Sequence, residues 1–202
     1  MENNIEQSLQ EVRKAYRLIY DYQSRVLDLM SYIEKKINFN FDSGWPLFSN
    51  AAPRKGSGKL DNWAWDWLNM YYYHFFFGEL KVKSDILRFG IVHMADSGYF
   101  DFSSDKKNKA ELKNYKPIKE SKSKLIFVIG RNSWSKWGEN WNHIDFTTKE
   151  EGQTDEDRLI FRSYDLSRFS TEDSTACVLK DFHDYCKVYN IDFTVKENTI
   201  NN

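Results

Sequence analysis

Glu79-Leu80-Lys81 has a form that can do chemistry. A Glu-x-Lys triplet can hold magnesium through its carboxylate and steady a phosphate's charge with its ammonium, as one class of metal-dependent nucleases does. Asp66, upstream, is the candidate second carboxylate. The triplet is short enough to arise by chance, and its setting is poor. Asp66 falls in an expected helix, and a hairpin follows Lys81 where such a nuclease would place a helix. The plainer expectation is a solvent-facing ion pair at a strand end.

A second cluster lies in GRNSWSKWGENWNHID at 130–145, where Trp134, Trp137 and Trp141 are spaced to share one face of a short helix. With Arg131 they would make a stacking platform for a base or sugar ring, since aromatic faces bind such rings and arginine adds charge. His143 with Asp145 would supply a general base and the carboxylate that orients it. The competing expectation is a Trp-rich lid over one end of the core.

Charge is distributed in blocks. Residues 104–124, expected to be a solvated loop, hold eight lysines against Asp105, Glu111 and Glu120, while the whole chain carries a formal −1. Lys106, Lys107 and Lys109 lead this block. Lysine without arginine, and with Tyr115 the sole aromatic there, suits loose attraction to phosphates or an acidic surface better than base readout. Between Asp145 and Asp157 six acids face Lys149 alone, a counterpart able to steer a basic partner. Nucleic acid is therefore a weak expectation as a partner, and a protein the stronger one.

His74, His93, His143 and His183 lack metal-ligand spacing, so no metal or other cofactor is expected. Glycine-rich phosphate loops and the Gly-x-Ser-x-Gly elbow are missing from the sequence. Cys177 and Cys186 lie nine residues apart in a helical pattern, about 13 Å along the axis, too far to bridge. Two free thiols, expected to be buried, suit a reducing cytoplasm. The polar, acidic start does not resemble a signal peptide, and no stretch is apolar for the roughly eighteen residues of a membrane span. Lysine outnumbers arginine 20 to 9 and asparagine is abundant, as in AT-rich bacterial or phage genes.

These residues need elements to position them. Residues 3–38 contain neither Gly nor Pro and repeat apolar side chains in heptads, which predicts one long helix. Leu9, Tyr16, Gln23, Met30 and Ile37 take position a; Ile5, Val12, Ile19, Val26 and Ile33 take position d. The stripe is narrow at first, flanked by Glu6, Gln7, Arg13 and Lys14, and widens later through Tyr20, Tyr22, Leu27 and Leu29. Leu9, Val12, Tyr16 and Ile19 are the candidate interface, for self-association or for a helical protein partner.

Gly44-Trp45-Pro46 and residues 50–59 read as a turn and a loop. Asp61 is the expected cap of a short helix reaching Met70. Ten rings, counting His74, crowd Trp63–Phe77, a density that requires burial; Trp67, Phe75 and Phe77 are expected in the core. Strands are expected at Tyr72–Val82, Ile86–Met94, Tyr99–Phe102, Leu125–Ile129, Ile144–Thr147 and Arg158–Tyr164. A final helix follows Ser170 or Thr171, burying Ala176, Val178, Leu179, Phe182, Tyr185, Cys186 and Tyr189. Residues 191–195 suit a short edge strand, and 196–202 a frayed tail.

The expected fold is one α+β domain, 1–202, with the body at 59–195. A mainly antiparallel sheet of five to seven strands is packed by the N-terminal and C-terminal helices. The expected function is protein binding without catalysis, as in immunity or antitoxin proteins or factors of the contest between bacteria and phage. The alternative is a nucleic-acid-processing, metal-dependent nuclease or a nucleotide-binding enzyme.

Overall fold

The computed structural model describes residues 2–48, 64–99, 112–134, 146, 149–154 and 158–196. Its chain forms two compact units, Met1–Lys36 and Ile37–Asn202. The first is the helix α1, Glu2–Lys36, uninterrupted for 35 residues because nothing in it breaks the backbone ladder. Lys35 and Lys36 in its last turn favour the negative helix end.

The second unit is α+β. Its strands are β1 (Ser43–Pro46), β2 (Tyr72–Val82), β3 (Asp85–Met94), β4 (Lys124–Arg131), β5 (Glu151–Thr154) and β6 (Leu159–Asp165). They form one sheet in the order β1-β2-β3-β4-β6-β5, every neighbouring pair antiparallel. A short turn joins β2 to β3, and the antiparallel pairing throughout is the one expected where no helix alternates with strand. Lys83, in the β2–β3 turn, has φ 55°, the sign that favoured hairpin turns use. The pairing shifts between Phe76 and Glu79, where Gly78 takes φ 74°. Such a bulge asks for a residue without Cβ strain, which glycine supplies.

Leu125 through Ile129 on β4 are all buried, because both faces of the central strands are covered. On one face lies α2, Glu172–Val188, whose Val178, Leu179, Phe182, Tyr185 and Cys186 are buried. Phe182 meets Phe127 and Phe89 with centroids 5.2 and 6.0 Å apart, and Phe193 and Phe39 complete the aromatic layer around Phe89. The opposite face buries Tyr72, Phe76, Val92, Met94, Ile126, Val128, Leu159 and Phe161 beneath Trp134 and Phe146. Thr171 caps α2 through a reciprocal box with Ser174, satisfying helix N–H groups that would otherwise lack partners.

Several expectations need correction. Gly44-Trp45-Pro46 is not a turn but an edge strand paired with β2, Trp45 opposite His74. Proline is tolerated at an edge because one side of that strand needs no donor. β5 forms inside the acidic run, at the other edge. Instead of one helix before Met70, two 3-10 turns occupy Ala64–Trp67 and Asn69–Tyr71. Trp67 is 61% exposed, whereas Phe75 and Phe77 are buried as expected. Tyr99, expected to begin a strand, is helical. On α2, Thr175 is buried in place of Ala176, its hydroxyl donating to the Thr171 carbonyl at 2.8 Å. Cys177 is exposed and only Cys186 is buried. In place of the expected edge strand at 191–195, an isolated bridge joins Val195 to Ile37.

Candidate interaction surface

Along α1 the 3.6-residue turn brings Ile5, Leu9, Val12, Tyr16 and Ile19 to one face, since residues three and four apart are neighbours. These five side chains are 64, 46, 48, 69 and 37% exposed. Further along the same seam Val26, Met30 and Ile33 are buried. One edge of the exposed stretch carries Glu6 and Arg13, joined at 2.6 Å, and a second pair, Lys14 to Glu11 at 2.8 Å, lies nearby. Ser8 and Ala15 form the other edge. The surface is thus a narrow apolar stripe, one helix wide, with an ion-paired margin. Stripes of that width match the seam of a coiled coil.

The other candidate residues fall elsewhere. Glu79 and Lys81 are exposed on β2, and Glu79 pairs with Arg88 on β3 at 3.1 Å. Asp66 sits in the 3-10 turn at Ala64–Trp67, its side chain outside the described residues. Among the described residues no group of three or more His, Cys, Asp or Glu side chains is placed to hold a metal.

Arg131 ends β4 and is tied down twice, by Asp85 at 3.4 Å and by donation to the Asn190 carbonyl. Asn132, at φ 52°, completes this corner by donating to Asp85 and accepting from the Ile86 N–H. Trp134 is buried over Gly130, where a Cβ would stand 2.6 Å from its ring. It belongs to the core cluster with Val128 and Leu159. Trp137, Trp141, His143, Asp145, Lys106, Lys107 and Lys109 lie outside the described residues.

The chain belongs to the PM0109 family. The family model matches residues 2–190, and its description names no activity. No curated protein and no solved structure matches the chain.

A polar network in this PM0109 chain has no local signature in the sequence. Arg162 of β6 reaches Glu151 at 3.3 Å and Asp181 of α2 at 3.4 Å, and lies 5.1 Å over the Tyr185 ring. The Tyr164 hydroxyl donates to Asp181 at 2.7 Å, and burial drives its proton affinity well above the ordinary range. These groups clamp β5, β6 and α2 together. They come from three separated stretches of sequence, so no local spacing announced them.

Two surface cavities are lined by the described residues. One of about 410 Å³ is lined by Lys122, Ser123, Asp165, Leu166 and Ser167, with Lys122 and Asp165 paired at 3.1 Å. The other, about 310 Å³, is lined by His183, Asp184, Lys187 and neighbours. There Lys180 at 2.8 Å holds the Asp184 carboxyl below its usual range, and the His183 ring bonds the Phe193 carbonyl. In the first cavity Lys122 and Asp165 match each other; in the second Lys180, Lys187 and Lys196 outnumber the Asp184 carboxylate. Two histidines are deep in the second unit: His74 packs edge-on to Trp45 at 4.4 Å, and His93 lies at the end of β3. Burial lowers His74 to about 3; His93 falls to about 4, where a bond to the Met70 backbone offsets part of the burial effect.

Proposed function

We propose that this protein acts by binding another polypeptide along the exposed seam of α1 and carries out no chemistry itself. Immunity and antitoxin proteins work in this manner, as do defence or counter-defence factors in bacteria and phages. The observation that carries the reading is the run of Ile5, Leu9, Val12, Tyr16 and Ile19, open to solvent on one face. A contiguous apolar stripe of this kind marks a surface that gains by being covered. Its partner presents a helix, because only a rod-shaped surface fills a stripe one helix wide. The engagement of Glu79 by Arg88 supports this reading over the nuclease alternative, since a metal-binding carboxylate must keep its oxygens for the ion. No helix among the described residues is long and apolar enough to cross a membrane. An exposed thiol at Cys177 and a buried one at Cys186 fit a reducing compartment such as the cytoplasm.

The test compares wild type with a Leu9→Glu, Val12→Glu variant, by light scattering of the purified chain and by native co-purification with mass spectrometry. Both changes are at exposed positions, so circular dichroism should report an unchanged fold. The variant should lose either self-association or a stoichiometric partner. A wild type that is strictly monomeric, with a variant that keeps every partner, would sink the reading.

A further inference from the structure

We infer that the partner of the α1 seam is a second copy of the same chain, its helix running antiparallel, with Glu6 of each copy facing Arg13 of the other. This rests on the reading of α1 as a binding surface and specifies its occupant.

The heptad register of α1 favours this pairing. In an antiparallel pair of heptad helices, each a position layers against a d position of the other copy, and e positions face e positions. With the two-fold axis between residues 10 and 11, Leu9 layers on Val12, and Val12 on Leu9. Ile5 layers on Tyr16, and Tyr16 on Ile5. All four layers, spanning about 17 Å, are then apolar, and all use side chains that are exposed. The e positions bracketing them are Glu6 and Arg13. In this register Glu6 meets Arg13 of the second copy twice, once on each side of the axis. The g positions, Ser8 and Ala15, meet across the other edge and are small enough to let the helices close.

Other registers are penalised by the same residues. Sliding one copy by a heptad in one direction sets Arg13 against Arg13; sliding it in the other sets Glu6 against Glu6. Like charges at such positions oppose pairing. A parallel pair brings e against g of the neighbouring heptad, so Arg13 meets Ser8, Tyr20 meets Ala15, and neither charge finds its opposite. Within one chain Arg13 Nη2 already reaches Glu6 Oε1 at 2.6 Å, which places both heads on the same edge of the seam. Two copies join these pairs into one four-charge cluster at the axis. A symmetric dimer needs such a self-complementary patch.

Charge exchange tests this in the full-length protein by sedimentation equilibrium. Glu6→Arg alone, or Arg13→Glu alone, places like charges together at two sites and should weaken the dimer by about tenfold. Mixing the two single variants in equal amounts should restore wild-type affinity, because each then supplies what the other lacks. The Glu6→Arg, Arg13→Glu double variant should also be restored. Circular dichroism controls for the lost intrachain pair, which both single variants share. A mixture no tighter than its components overturns the antiparallel assignment. A wild-type monomer whose Leu9→Glu, Val12→Glu form loses some other protein overturns self-pairing but leaves the binding reading standing. A wild-type monomer whose partners ignore that substitution overturns both.

Discussion

His74 and His93 make the stability of the second unit depend on pH in a calculable way. In the fold their values are about 3 and about 4, against an ordinary 6.5, and burial is the chief cause for both. Depressed values mean that the folded state stays neutral while the unfolded chain takes up protons. The stability they confer is therefore complete above pH 6.5 and is lost as pH falls, until the folded values are reached. Between pH 7 and pH 5 each histidine should cost about 2 kcal/mol, and the two together roughly 4 kcal/mol. Carboxylates near their usual range change little across that interval, so the effect stands apart from general acid unfolding. With a urea slope of about 2 kcal/mol/M, the midpoint should drop by about 2 M. Tryptophan fluorescence during urea titration at the two pH values measures it directly. A His74→Phe, His93→Gln variant should be less stable at pH 7 but nearly insensitive to the change. Phenylalanine keeps the ring contacts with Trp45 and Phe76, and glutamine keeps a donor near the Met70 backbone. Coincident wild-type midpoints at pH 7 and pH 5 would refute the reasoning, as would a drop that persists in the variant.

Phe77→Ala should cost about 3–5 kcal/mol, because its ring is buried against Phe89 at 5.5 Å. Trp67→Ala should stay within about 0.5 kcal/mol, since the side chain is mostly in solvent; chemical denaturation of the two variants should separate them cleanly. Gly130→Ala should destabilise by about 1–3 kcal/mol, as its Cβ would fall 1.9 Å from Ser133 Oγ and 2.6 Å from the Trp134 ring. An unchanged melting temperature for that variant would mean that the turn after β4 gives way freely.

The long elements were legible because their signals are local. A 3.6-residue period with no breaker marks α1 and α2, and the β-branched and aromatic runs mark β2, β3, β4 and β6. The edges were not legible, since what makes Ser43–Pro46 a strand is the presence of β2 beside it, and proline in the segment argued the other way. Glu151–Thr154 is likewise a strand through β6, with Arg162 absorbing the charge that made the segment look like loop. Aromatic richness failed for a different reason. Burial and ring binding both call for large flat side chains, so composition cannot tell the buried Trp134 from a stacking platform, or predict that Trp67 faces water. What distinguishes them is the neighbouring strand, fixed only by tertiary packing.

The α1 seam escapes that ambiguity in part. An apolar stripe that serves a chain's own globular core is broad, because several elements press on it, whereas one that serves a single helix is confined to a and d. From Ile5 to Ile19 the stripe follows the a and d positions, and its side chains are exposed. Its margin carries further information. Apolar layers set the strength of pairing but tolerate many registers; Glu6 and Arg13, a heptad apart on the same edge, match in one antiparallel register and clash or go unmatched in the others. On the proposed pairing, two charged residues that add little to the stability of the helix would be the ones that specify what it binds.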